Sequence, residues 1–116
     1  MTEPTKATIS ERSANMYRQG DVLILPTSVP VNTTPVPRDK GRVILAYGEV
    51  TGHAHAIVSE DAILTEADGR RFLRIVGSGV DLGHEEHATI TIEPGEYQVV
   101  IHREWTDDLG AQRVLD

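Results

Sequence analysis

The sequence predicts an all-β fold, a small single-domain barrel or sandwich of about six to eight short antiparallel strands. Three observations carry this. Apolar residues come in short runs bounded by turn residues, without a sustained helical period. Asp68-Gly69 and Pro94-Gly95 mark tight turns between such runs. Pro26, Pro30, Pro35 and Pro37 forbid a helix across the longest stretch that separates them.

In chain order, residues 1–15 are polar and read as a flexible N-terminal arm, with order beginning near Met16-Tyr17. Gln19-Gly20-Asp21 makes a turn into the buried strand Asp21 to Leu25, which Pro26 ends. The proline-containing stretch to Lys40 is an extended loop or an edge strand, because proline lacks the ladder N–H. Arg42 to Tyr47 is the next strand, and Gly48 is its expected bulge or bend. Val50 to Val58 follows as a strand, with Thr51, His53, His55 and Ile57 on one face.

Ala62 to Val76 predicts a hairpin around Asp68-Gly69, whose positive φ suits a type I′ turn. A two-residue loop pairs Ala67 with Arg70, Glu66 with Arg71, Thr65 with Phe72, Leu64 with Leu73 and Ala62 with Ile75. Apolar residues then meet apolar ones and opposite charges meet, so the register is self-consistent. A second hairpin is expected around Pro94-Gly95, with Ile92 opposite Tyr97, Ile90 opposite Val99 and His87 opposite His102. The β domain thus spans residues 16–105, and residues 106–116 form a C-terminal tail.

Whole-chain properties exclude several function classes. A formal net charge of −7 argues against nucleic acid and against anionic membrane surfaces, both of which call for clustered Lys and Arg. With no cysteine, disulfides, thiolate catalysis and cysteine zinc sites are excluded, leaving His, Asp and Glu as strong metal ligands. No apolar run approaches the ~20 residues of a membrane helix, and no signal-peptide core opens the chain, so a cytoplasmic protein is expected.

All five histidines lie between residues 53 and 102. His53 and His55 alternate on one strand face, ~7 Å apart along the strand, with small residues around them. Two imidazoles so placed can converge on one ion. The expected site is a divalent metal (Zn, Mn, Fe, Ni or Cu) held by His53, His55, His87, His102 and Glu60. His84, Glu85 and Glu86 are further candidates, although His84 beside Gly83 and two glutamates reads most simply as a solvated loop residue. Tyr47, Gln98 and Arg103 are candidates to orient a small-molecule ligand.

Gly52-His53-Ala54-His55, with Glu60 after four intervening residues, resembles the first half of a cupin signature. In that family His-x-His and the glutamate supply three metal ligands on adjacent strands, so the resemblance implies a metal-bearing barrel. The second half departs from it: Pro94 and Gly95 are adjacent, and the next histidine is only His102. The pairing of Gly-His-Ala-His with His-Glu-Glu-His is also similar to small uncharacterised bacterial and phage proteins, which supplies no activity. Two function classes follow: a metal-binding β-barrel, in its fuller form a cupin-like metalloenzyme acting on a small molecule, or a non-catalytic accessory or assembly module with structural histidines. A pH-responsive interface is a third, weaker option. Edge strands in so small a fold favour a homodimer or higher homo-oligomer in each case.

Overall fold

The computed structural model describes residues 15–48 and 50–102. Arg103, the C-terminal tail at 106–116 and all but the last residue of the N-terminal arm lie outside the described residues. Among the described residues ten strands form, in chain order: β1 (Tyr17–Gln19), β2 (Val22–Pro26), β3 (Thr34–Pro35), β4 (Val43–Tyr47), β5 (Ala54–Ile57), β6 (Ala62–Ala67), β7 (Arg70–Ile75), β8 (Val80–Leu82), β9 (Ile90–Ile92) and β10 (Gly95–Ile101). The all-β expectation holds, but the strands are more numerous and do not close into a barrel. They form one open six-stranded sheet, ordered β1-β2-β10-β7-β6-β3, and two-stranded sheets β4-β5 and β8-β9.

Every strand pair is antiparallel. Alternating residues of the large sheet, among them Val22, Ile24, Leu73, Tyr97 and Val99, share one apolar core with Leu45, Ile57, Leu82 and Ile92 of the small sheets. That common core holds the three sheets together. No helix among the described residues is long and apolar enough to cross a membrane.

The β6–β7 hairpin has the predicted register, from Ala67↔Arg70 through Leu64↔Leu73 to Ala62↔Ile75. Asp68 and Gly69 turn it with φ of 55° and 77°, as a type I′ turn requires. The proline segment places Pro35 on β3, at the edge of the large sheet, where its missing N–H costs no ladder bond. The register irregularity of β4 falls between Ile44 and Ala46, not at Gly48.

The second predicted hairpin does not form. β9 pairs with β8, through Val80↔Ile92 and Leu82↔Ile90, while β10 runs between β2 and β7. Gly95 has a φ of 154°, far from the value near +80° that closes a type II turn. The chain therefore crosses from a small sheet to the large one at Glu93-Pro94. Central placement gives β10 two ladders and buries Tyr97, Val99 and Ile101, which a two-stranded ribbon would leave half exposed. His87 and His102 are consequently not cross-strand partners.

β1 and β2 form a hairpin whose two-residue loop is Gly20-Asp21, with Gln19 opposite Val22. One further tie matters for the site. Ala56 of β5 and Gly83, just after β8, exchange backbone hydrogen bonds of 3.0 and 2.9 Å and form an isolated antiparallel bridge. This joins the two small sheets at a single point.

Candidate metal centre

The Ala56–Gly83 bridge determines where the first imidazoles meet. In an antiparallel pair, stepping back one residue on β5 and forward one beyond Gly83 brings His55 opposite His84. Their ring centres are 4.3 Å apart. His53 and His87 flank His84 at 5.8 and 4.6 Å, and His55 and His87 stack at 5.8 Å. His102, immediately after β10, lines the same cleft, so all five histidines share it. The cleft has a volume of about 670 Å³ and is closed on its other sides by Arg18, Gly20 and Asp21 of the first hairpin and by Tyr47, Gly48 and Val50.

His55 is the buried member, 3% exposed, and its orientation is set by Gln19, also 3% exposed. The Gln19 amide nitrogen donates to Leu82 O and Ala88 O, both at 2.9 Å. Those two bonds use both of its hydrogens and leave Oε1 as the acceptor facing His55 Nδ1 at 2.8 Å. His55 must therefore donate from Nδ1, and Nε2 is unprotonated in the neutral ring. That nitrogen lies 3.8 Å from Asp21 Oδ1. A hydrogen bond that fixes the tautomer of an imidazole is the usual support behind a metal-ligating histidine.

Leu82 and Ala88 bracket the segment that carries His84 and His87, so one glutamine amide ties both ends of that loop to His55. Gly20 completes the fit. Its φ is 59°, and a Cβ built there would stand 2.7 Å from His87 Nε2 and 3.2 Å from His55 Cε1. Only glycine serves both the turn and the approach of the two rings. Gly48 has a similar steric role, since a Cβ there would meet His53 Cβ at 2.9 Å.

Two glutamates follow His84 and differ in what they touch. Glu85 Oε1 accepts the Ala54 N–H at 2.9 Å, anchoring the carboxylate beside β5. That backbone hydrogen bond, followed by its own backbone N–H, holds the Glu85 carboxyl below its usual range, and His53 and His84 act in the same direction. A lowered carboxyl stabilises the fold above the ordinary carboxylate range and loses that contribution as pH falls through its own lower value. Glu86 Oε2 lies 3.5 Å from His53 Nδ1. Its backbone N–H donates to His84 Nδ1 at 2.9 Å, so neutral His84 carries its proton on Nε2. One ligand atom each from His53, His84 and Glu85 lie within 4.8 Å of one another.

Of the residues proposed from sequence, His53, His55, His87 and His102 come together. Glu60 does not: it is exposed in the β5–β6 turn and is not among the residues lining the cleft. That turn is organised by Arg38, whose guanidinium donates to the carbonyls of Gly41, Val58, Ser59 and Ala62. Tyr47 lines the cleft with its hydroxyl bonded to Asp39, whereas Gln98 lies within β10 and does not reach it.

A family model described as "Domain of unknown function (DUF8820)" matches residues 18–102. The chain belongs to this family. No curated protein and no solved structure matches it. The matched span of this DUF8820 chain includes all five histidines, the Gly20 turn and Gln19.

Of three further contributors to the site, His84 and Glu85 are only secondary candidates in the sequence and Gln19 is missed. His84 is the ring nearest to both His55 and His87, although its glycine and glutamate neighbours suggest a solvated loop. Glu85 reads as a solvated charge until Ala54 is seen to hold it. Gln19 gives no signal at all, because its partners lie 63 and 69 residues away.

Proposed function

We propose that one divalent transition metal is held by His53, His55, His84 and His87 of this cleft, with Glu85, anchored by the Ala54 N–H, as the carboxylate, and is presented to a small molecule. The observation that carries the reading is the spacing of the rings. Imidazoles sharing one tetrahedral ion at ordinary zinc–nitrogen distances have centres about 5 Å apart. Four of the six ring separations run from 4.3 to 5.8 Å and bracket that value, and ligand atoms of His53, His84 and Glu85 already lie within 4.8 Å of one another. The Nδ1 donation of His55 to Gln19 supports it further, because in the neutral ring Nε2 is then the nitrogen that can ligate.

Imidazole with carboxylate suits Zn, Mn, Fe, Ni or Cu. A metal taken by His84 must displace either the proton on Nε2 or the Glu86 amide at Nδ1, so loading releases protons or loosens that contact. An ion with one position facing the open cleft would polarise a bound substrate or activate a water there. In this reading the cupin-like element is limited to His53-x-His55, and Glu85 takes the carboxylate role that the resemblance assigns to Glu60.

The test is elemental mass spectrometry of untagged protein, as purified and after separate loading with each of the five metals. Near-stoichiometric metal is expected in the parent and in Glu60→Gln, with a fall of at least tenfold in the His55→Ala/His84→Ala double variant. A parent that takes up none of the five metals overturns the reading, and the histidines then belong to an assembly module.

A further inference from the structure

We propose that the cleft takes a small oxyanion, a carboxylate or a phosphate, held between Arg18 and the metal. The inference rests on the metal reading above and names the class of molecule that would meet the ion. Arg18 is the sole lysine or arginine among the described residues lining the cleft. Its Nε donates to Gly20 O at 3.0 Å, which tethers the guanidinium to the first-hairpin turn. Among the described residues none accepts a hydrogen bond from its Nη1 or Nη2. The planar fork formed by those groups matches the paired oxygens of a carboxylate or phosphate.

Gly20 links this arginine to the imidazoles. The residue whose carbonyl holds Arg18 is also the one where a Cβ would meet His87 Nε2 and His55 Cε1. The guanidinium and the His55 ring thus both border Gly20 in the wall of the cleft, where one ligand would meet both. Charge makes the ion necessary. The chain carries a formal −7, and Asp21 and Glu86 also line the cleft, so Arg18 alone would not attract an anion there. A divalent cation reverses the local sign and gives the second oxygen its partner. Tyr47 and Val50 add apolar surface for the rest of the molecule, and about 670 Å³ is ample for a small metabolite.

The experiment is isothermal titration of malonate and of methylphosphonate into four samples: parent and Arg18→Gln, each metal-free and metal-loaded, with metal content checked afterwards. Loaded parent should bind one of the two oxyanions at one equivalent, and which one it binds separates carboxylate from phosphate ligands. Metal-free parent should bind at least tenfold more weakly. Loaded Arg18→Gln should keep its metal and lose about tenfold or more in oxyanion affinity. Loaded parent that ignores both oxyanions at millimolar concentration overturns this proposal and leaves the metal reading standing. So does an Arg18→Gln variant, or a metal-free parent, that binds as tightly as loaded parent. A parent that takes up no metal overturns both.

Discussion

The β6–β7 hairpin and the histidine cleft are held in different ways. The hairpin has six consecutive cross-strand pairs, a type I′ turn, and buried Ala62, Leu64, Leu73 and Ile75 on its core side. Removing one contact leaves the others to keep the register. The cleft is assembled from the first hairpin, the β4–β5 segment, the loop between β8 and β9 and the end of β10. Among the described ties, the Ala56–Gly83 bridge and the Gln19 amide bring its imidazoles together. Redundant packing makes a region robust, whereas a polar site with few ties depends on each of them.

Substitutions should separate the two regions. The largest loss of stability is expected for Leu73→Ala, since Leu73 is 0% exposed in the shared core. It should lower the unfolding free energy by about 2–5 kcal/mol in a denaturant titration. The folded fraction should still take up metal with parental affinity, and a parallel loss of metal would break the separation.

Gln19→Leu should do the reverse. It leaves the carbonyls of Leu82 and Ala88 without this donor and His55 Nδ1 without this acceptor. The expected cost is about 1–3 kcal/mol of stability, with a fall of about 10–100-fold in metal affinity, as for other groups that orient a ligand. Competition against a metal-binding dye measures the second effect. Unchanged affinity would show that His55 does not need the glutamine.

The smallest effect is expected at the rim. The hydrogen bond to Asp39 is the main reason the Tyr47 phenol is pushed above its usual value, and Arg42 pulls the other way. Since Asp39 favours the protonated phenol, its contribution to folding is present below the ordinary tyrosine range and is lost as pH rises through the raised value. Asp39→Asn should move the Tyr47 titration to lower pH in ring-labelled NMR and leave the melting transition at neutral pH almost unchanged. A titration that stays in place would remove Asp39 as the cause.

The same contrast explains what could be read in the chain. Asp68-Gly69 determines its hairpin locally, and one register matches every apolar and charged neighbour, so the pairing follows from adjacent residues. Tyr97 to Ile101 alternates just as cleanly, but alternation specifies a buried face and not a partner. The strand finds its partners in β2 and β7, not in its chain neighbour β9. For the site, residue type pointed to His53 and His55, but the expected strand Val50 to Val58 is cut to Ala54–Ile57 by a turn at 50–52, so His55 lies on β5 and His53 just ahead of it. His84 and Gln19 act only through contacts made after folding, with His55, Leu82 and Ala88. Glu60 stands at a metal-ligand spacing in sequence, yet the β5–β6 turn places it outside the cleft.

The central claim is that imidazoles from separate segments share one ion, and X-ray absorption of untagged, metal-loaded protein tests it most directly. Three or four imidazole nitrogens at about 2.0–2.1 Å, with the outer-shell scattering of intact rings, are expected for zinc. An all-oxygen shell, or a shell with a single imidazole, would contradict the account and assign the metal to surface carboxylates.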